Sequence, residues 1–339
     1  MKRTQLYLLI FLALGFTAYV LVVNKPSGTL KEGEGKFALN DTSVVEKIFI
    51  ADMRGNKVIL QRQNSGWIVN QKYPVRSDYM NSLLSTIHNI TISYPVSLSQ
   101  QNTVVKQMAS DNKKVEIFDR NGTMLKSYYI GGPNLSSDGT YMMMAGAKNP
   151  YVTAIPAFQG VVNTRYSTNT EEIRSGKIYD FDLNQILTVS VNYPELKDSS
   201  FAITVAGPDS FLITGNNGKP LTSESINKRA VRAYLQSYSF VNAEAFVNDL
   251  PKRDSILQST PFCNITVTDR NYQPHSTVIY HMPRNSTSEQ FDAKGNELLY
   301  DVDHFFATVN NGQDFVIIQT QHFNRLFKTT RFFLYATKN

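Results

Sequence analysis

The sequence contains one cysteine, Cys263, among its 339 residues. A single cysteine cannot form an intramolecular disulfide, and it excludes a zinc site built from several thiolates. Cys263 lies in the apolar run "FCNITV", so we expect a buried, unreactive thiol and not a nucleophile. The histidines also lack the His-x-His and His-x-x-x-His spacings that place two imidazoles on one ion. The sequence therefore predicts no metal site.

Motifs for the common enzyme chemistries are also missing. The chain has neither the phosphate-binding Gly-x-x-x-x-Gly-Lys-Ser/Thr nor the dinucleotide-binding Gly-x-Gly-x-x-Gly. It has no serine-nucleophile motif in a strand-to-helix context. Asp301 and Asp303 would share one face if "LLYDVDHFF" is a strand, and such a pair could serve hydrolysis or bind Ca²⁺. Ordinary carboxylates at a strand end are the simpler interpretation, so we predict no enzyme, no catalytic residue and no cofactor.

Basic clusters are lacking as well. The net charge of +6 is not concentrated in Lys/Arg blocks, so the sequence predicts no nucleic-acid partner. There is one tryptophan, Trp67, which follows Gly66 at the start of a predicted strand. A core anchor is the simpler role for it, but an exposed ring could stack on a sugar. Trp67 is therefore the one candidate ligand contact.

The N terminus carries a long hydrophobic run. Residues Leu6–Val23 are free of charge, and Lys2 and Arg3 precede them. A helix of this length crosses a hydrocarbon core of about 30 Å, and the positive-inside rule places the N terminus in the cytoplasm. We predict a retained single-pass anchor, with a cleaved signal peptide as the alternative. The expected location is the bacterial inner membrane, with the remaining chain periplasmic and residues 24–42 forming a flexible stalk.

The rest of the chain predicts two tandem α+β domains, residues 43–170 and 184–339, joined by a solvated linker at 171–183. Period-2 strands separated by short turns indicate antiparallel sheet. One amphipathic helix is predicted to cover each sheet, at 77–90 in the first domain and 222–238 in the second. The segment "RFFLYA" predicts a final strand.

A polar turn occurs in both predicted domains. Asp119, Arg120 and Asn121 lie at the centre of the predicted hairpin "VEIFDRNGTMLKSYYI". Asp269, Arg270 and Asn271 recur in "ITVTDRNYQPHSTVIYHM", a displacement of 150 positions (269 − 119). Asp and Asn favour tight turns because their side chains bond nearby backbone and tolerate left-handed conformations. We interpret these residues as structural turns that mark an internal duplication.

Several segments resemble a known family. "GWIVN" after a strand hairpin, then a helix, then "VEIFDRNG…YYIGG" and "NPYVTAIPA" are similar to the domain-of-unknown-function 4340 family (DUF4340). The resemblance covers most of residues 43–330 as two copies. It implies a membrane-anchored bacterial envelope protein, of a family sometimes associated with ABC-type transport and gliding-type machinery. It implies no catalytic residues.

These observations favour a non-enzymatic interaction or accessory component of an envelope assembly, with other membrane or envelope proteins as partners. A module that binds cell-wall or capsular polysaccharide through Trp67 and exposed tyrosines is the alternative. An envelope hydrolase using Asp301 and Asp303 is a third hypothesis.

Overall fold

A computed structural model describes residues 34–335, apart from the side chain of Ser223. The chain divides into two compact units between Arg174 and Ser175. The predicted anchor, Leu6–Val23, lies outside the described residues. Within residues 34–335 no helix has both the length and the apolar composition needed to cross a bilayer.

Over residues 34–174 the first unit is a nine-stranded antiparallel sheet with three helices. Its spatial order is β4-β3-β2-β1-β6-β7-β8-β9-β5. The strands are β1 (Lys47–Asp52), β2 (Lys57–Gln63), β3 (Gly66–Val69), β4 (Tyr73–Pro74), β5 (Thr91–Pro95), β6 (Lys113–Phe118), β7 (Met124–Pro133), β8 (Thr140–Met144) and β9 (Tyr151–Ala154). The helices are α1 (Ser77–Asn89), α2 (Leu98–Ser110) and α3 (Thr170–Ile173).

The second unit contains an eight-stranded antiparallel sheet and a two-stranded ladder. The sheet order is β13-β12-β11-β16-β17-β18-β19-β15, and β10 pairs with β14. The strands are β10 (Lys177–Tyr179), β11 (Ile186–Asn192), β12 (Phe201–Gly207), β13 (Ser210–Gly215), β14 (Val241–Asn242), β15 (Ala245–Phe246), β16 (Cys263–Asp269), β17 (Pro274–Pro283), β18 (Tyr300–Val309) and β19 (Asp314–Gln319). The helices are α4 (Lys228–Gln236), α5 (Arg253–Leu257) and α6 (Thr320–Phe323).

The two large sheets have the same strand order apart from the short edge strand β4. In each unit three strands form a meander, and a helix follows. The next strand pairs at the far edge of the sheet. A second helix and four further strands then complete the sheet. The predicted antiparallel sheets with accompanying helices are therefore present.

Strand alternation places one face of each sheet against a helix. Ile48 and Ile50 of β1 are fully buried, as expected where alternate side chains point to one face. They belong to the same core as Leu83 and Ile87 of α1. In the second unit Val189 of β11 shares its core with the buried face of α4, formed by Val231, Tyr234 and Leu235.

Each sheet also carries a helix that the sequence did not predict. Helix α2 contributes Val104 and Met108 to a small cluster with Tyr141 of β8, whereas the adjacent Met142 joins the main core. Neighbouring residues of a strand point to opposite faces, so α2 covers the other side of the sheet. In the second unit α5 packs in the same way near Phe306 of β18.

Two predicted elements differ from the structure. The helix predicted over 222–238 is limited to α4, because the Asn227 side chain caps it by accepting a hydrogen bond from the Ala230 N–H (3.2 Å). The segment "RFFLYA" begins as a 3₁₀ turn, Thr330–Phe333, and not as a strand. Phe333 is buried in the second core, which explains the apolar character of the segment.

The predicted stalk and linker are wrong where the structure describes them. Phe37, in the predicted stalk, is buried against Tyr128 and Tyr151 with ring centroids 6.1 Å away. In the predicted linker, Arg174 is buried and its guanidinium lies over the ring of Tyr73 (4.4 Å). Both segments are parts of folded units, since their apolar and aromatic contacts outweigh their polar composition.

Candidate functional site

The second unit has an open cleft of about 870 Å³ at one end of its sheet. This volume lies in the range of small-molecule and peptide side-chain sites. Its walls are formed by the segment before β11, the end of β12, the C-terminal part of α4 with the residues after it, and the turn that follows β16. They contribute Phe181, Asp182, Leu183, Asn184, Val205, Gly207, Pro208, Arg232, Gln236, Ser239 and Arg270.

Backbone hydrogen bonds fix the walls of the cleft. The N–H of Phe181 donates to the carbonyl of Tyr238 (3.0 Å), which ties the segment before β11 to the end of α4. The N–H of Asp182 donates to Gln185 Oε1 (2.7 Å). The N–H of Arg270 donates to the carbonyl of Gln185 (2.9 Å), so the turn after β16 is held beside the same segment.

Two arginine side chains donate hydrogen bonds to the backbone at the end of β12. Arg270 Nη2 donates to the carbonyl of Val205 (3.4 Å), and Arg232 Nη2 donates to the carbonyl of Pro208 (2.8 Å). Arg232 also forms an ion pair with Asp209. A guanidinium has five N–H donors in a planar fork, which suits carboxylate and phosphate groups. The cleft therefore offers directional donors for an anionic group.

The cleft also has an apolar part. Phe181 and Leu183 are half-buried and pack against the second core, and Val205 is buried within it. The ring of Phe181 meets the imidazole of His275 edge-on, with centroids 4.9 Å apart. This apolar surface lies beside the arginines, so the cleft can accept a ligand with both an anionic group and an apolar group.

The first unit has an arginine at a strand position that lines the cleft in the second unit. Leu60 pairs with Ile48 in the first sheet as Ile203 pairs with Val189 in the second, so Arg62 is equivalent to Val205. The Arg62 guanidinium donates to the carbonyls of Val45 (2.9 Å) and Thr42 (3.2 Å).

The repeated polar residues form the same turn in both units. Asp119 Oδ1 accepts hydrogen bonds from the N–H groups of Asn121 (2.8 Å) and Thr123 (2.8 Å). Asp269 Oδ1 accepts from those of Asn271 (2.8 Å) and Gln273 (2.9 Å). The two aspartates and two asparagines thus act in turns. Arg270 differs, because it also lines the cleft.

The candidate carboxylates Asp301 and Asp303 have different surroundings. Asp301 is 8% exposed and accepts hydrogen bonds from the N–H of Asp303 (2.9 Å), the N–H of His304 (2.8 Å) and the Ser288 hydroxyl. Burial raises the pKa of Asp301, but these hydrogen bonds outweigh it and leave the pKa below its usual value. Asp303 is exposed. Asp301 organises the start of β18.

Trp67 packs on the first core and is half-buried. The Cζ atom of Arg62 lies 5.0 Å from the centroid of its ring, within the range of a cation–π contact. One face of the ring is therefore occupied by the chain itself.

Cys263 is fully buried, as predicted, and burial raises the pKa of its thiol. Among residues 34–335 no group of three or more His, Cys, Asp or Glu side chains has an arrangement that could hold a metal ion.

The sequence did not single out Phe181, Gln236 or Arg232 as site residues. Phe181 lies in the segment before β11, and Arg232 and Gln236 lie in α4. These segments are far apart in the sequence, so no short sequence motif includes all three residues. The sequence pattern indicates only a turn role for Arg270. A comparison of the two repeats would have found its difference from Arg120, because the residues around the two arginines differ. Comparisons with family models, with curated proteins and with solved structures find no match to this chain.

Proposed function

We propose that the protein is a non-enzymatic interaction or accessory component of a bacterial envelope assembly. In this proposal residues 6–23 anchor it in the inner membrane, its N terminus is cytoplasmic and both folded units are periplasmic. The hydrophobic run after Lys2 and Arg3 supports the anchor. The suggested link to an ABC-type transporter comes from the family resemblance alone.

We further infer that the two units are copies of one domain. The common strand order supports this, as do the turns at Asp119 and Asp269 with their equivalent hydrogen bonds. Two copies can diverge, since one is sufficient for a given binding function.

The observation that carries the proposal is the open cleft of the second unit. In the first unit Arg62 stands at the equivalent place and its guanidinium is bonded to the backbone. In the second unit the equivalent residue is the smaller Val205, which lines the cleft together with Arg232 and Arg270. The two copies differ at this position, and the open cleft of the second copy favours a partner-binding role for it.

Polysaccharide binding is a second candidate, supported by the polar groups of the same cleft. Asn184, Gln236 and Ser239 can exchange hydrogen bonds with sugar hydroxyls, and Phe181 offers a ring beside them. Saturable binding of a purified envelope polysaccharide, lost on Phe181→Ala, would favour this candidate over a protein partner.

Site-specific photo-crosslinking in cells tests the leading proposal. A photoreactive amino acid replaces Gln236 at the cleft, and the control replaces Ser85, an exposed residue of α1. We expect crosslinks to a distinct envelope or membrane protein from position 236 and not from position 85. Recovery of the uncrosslinked protein alone from both positions would count against the proposal.

A further inference from the structure

The arginines of the two repeated turns have different partners. Arg120 Nη2 lies 3.3 Å from Glu46 Oε1, so the first unit supplies a carboxylate to its own arginine. Glu46 precedes β1 and its N–H donates to the carbonyl of Phe118 (3.0 Å). The ion pair joins the start of the first sheet's β1 to the turn that follows β6.

The second unit lacks the equivalent carboxylate. Ile48 pairs with Ile117 as Val189 pairs with Val267, so the residue equivalent to Glu46 is Leu187. Leu187 lies at a shift in the register of β11, and its neighbour Ile186 is also apolar. No acidic residue therefore stands where Glu46 stands in the first unit.

Arg270 is left with a weak internal contact. Within residues 34–335 no carboxylate lies within ion-pair distance of Arg270, and its Nη2 donates only at 3.4 Å to Val205. The guanidinium is exposed and lines the cleft. An arginine fork with unused donors beside an apolar floor is a common way to recognise a carboxylate.

We propose that the cleft binds a carboxylate-bearing peptide segment of a partner protein, with Arg270 pairing to a Glu or Asp side chain of that segment as Arg120 pairs with Glu46 in the first unit. This rests on the proposed function and specifies the chemistry of its binding site. The first unit contains such a pair within its own chain, between Arg120 and Glu46.

The apolar floor fits the neighbouring residue of such a segment. Phe181, Leu183 and Val205 offer a surface for an aliphatic side chain next to the acidic one. Burial of that side chain adds affinity that an isolated carboxylate lacks. A peptide with an apolar residue before its glutamate is the expected ligand.

The acidic groups at the cleft favour a single carboxylate over a polyanion. Asp209 pairs with Arg232, and Asp182 is exposed and also lines the cleft. A polyuronic acid carries a charge on every ring and would meet these aspartates, and like charges repel at short range. The cleft therefore favours a ligand with one carboxylate that pairs with Arg270.

Peptide titration against the full-length protein tests the proposal. The probe is a short labelled synthetic peptide in which a valine precedes a single glutamate, and a second peptide carries glutamine in place of that glutamate. Binding is measured by fluorescence anisotropy for the wild type, Arg270→Gln and the matched control Arg120→Gln. Oligogalacturonate is the competing acidic glycan. Circular dichroism verifies that each variant is folded.

We expect the glutamate peptide to bind about tenfold more tightly than the glutamine peptide, since a charge-assisted bond of this type gives about one decade. Arg270→Gln should remove that difference and Arg120→Gln should leave it. Added salt should weaken the binding of the glutamate peptide.

Three results would overturn the proposal: equal affinity for the two peptides, no measurable binding of either, or the same loss from Arg120→Gln as from Arg270→Gln. Arg270-dependent binding of oligogalacturonate without peptide binding would also overturn it and assign the cleft to a glycan. Crosslinks from position 236 together with failed peptide binding would reject only the carboxylate chemistry. Absence of those crosslinks would reject the proposed function itself.

Discussion

Gly122 and Tyr272 occupy the same position of the two repeated turns, and both have a left-handed backbone, with φ of +79° and +62°. The N–H of each donates to the carbonyl of the turn aspartate, Asp119 (3.1 Å) or Asp269 (3.0 Å). Glycine adopts this conformation without steric cost, whereas a tyrosine does not. The second turn is therefore the more strained of the two.

Exchanging these residues should change stability in opposite directions. Tyr272 is 76% exposed, so Tyr272→Gly loses little packing and should raise the free energy of unfolding by about 0.5 kcal/mol. Gly122→Tyr should lower it by about 1 kcal/mol, because it introduces the strain into the first turn. Urea denaturation of each variant measures both effects. A loss of stability in Tyr272→Gly would show that the ring has a packing role.

The stability of the second unit should depend on the ionisation of Asp269. The hydrogen bond from the Gln273 N–H, with further ones from His275 and the Asn271 N–H, holds the pKa of Asp269 below its ordinary value. A lowered carboxyl pKa gives stability that is complete above the unfolded-state value of about 3.9 and is lost as the pH falls through the folded-state value.

Asp269→Asn isolates this effect, because the amide keeps an acceptor oxygen for the turn but does not titrate. Between about pH 5 and about pH 2.5 the urea midpoint of the variant should fall less than that of the wild type. Parallel curves for the two proteins would contradict the proposed contribution of Asp269.

Asp301 and Asp303 should differ in their effect on stability. Asp301→Ala leaves the N–H groups of Asp303 and His304 without their acceptor and should lower the free energy of unfolding by about 1–3 kcal/mol. Asp303→Ala, at an exposed position, should change it by less than about 0.5 kcal/mol. Thermal and urea denaturation provide the comparison. If both variants kept wild-type stability but lost a hydrolytic activity of the protein, the hydrolase hypothesis would be supported.

Trp67 should behave as a structural residue. Trp67→Ala removes packing on the first core and the contact with Arg62, so it should cost about 2 kcal/mol of unfolding free energy. Trp67→Phe should cost less. Binding of envelope polysaccharide should be the same in both variants as in the wild type. Loss of polysaccharide binding at unchanged stability would identify the ring as a sugar-binding surface.

The local pattern of the sequence predicts the hairpins and the main helices because each has a periodic buried face. Helix α1, for example, buries Met80, Leu83 and Ile87 at helical spacing. Helix α2 buries only Val104 and Met108 among polar residues, so its amphipathic signal is weak. Phe37 and Tyr179 lie in polar segments, and each packs into a core formed mainly by residues distant in sequence.

The cleft could not be predicted from any single segment. Phe181, Arg232 and Arg270 are distant in sequence and meet only because the β12 end, α4 and the second turn converge. Arg270 was visible as a repeated residue, but its role depends on what replaces Glu46. The residue that replaces Glu46 can be identified only by aligning β1 with β11, and the register of β11 contains a shift at this point.

The strand order has a consequence for the order of folding. β5 directly follows α1 in the sequence and pairs with β9, although α2 and three other strands lie between β5 and β9 along the chain. β15 has the same relation to β19. Such an edge strand has no partner in the sheet until the last hairpin is complete, so its pairing is a late, long-range closure that carries a loop-entropy cost. During synthesis each unit must hold one strand unpaired until its final strand emerges, and this interval is when it is most exposed to exchange with another chain.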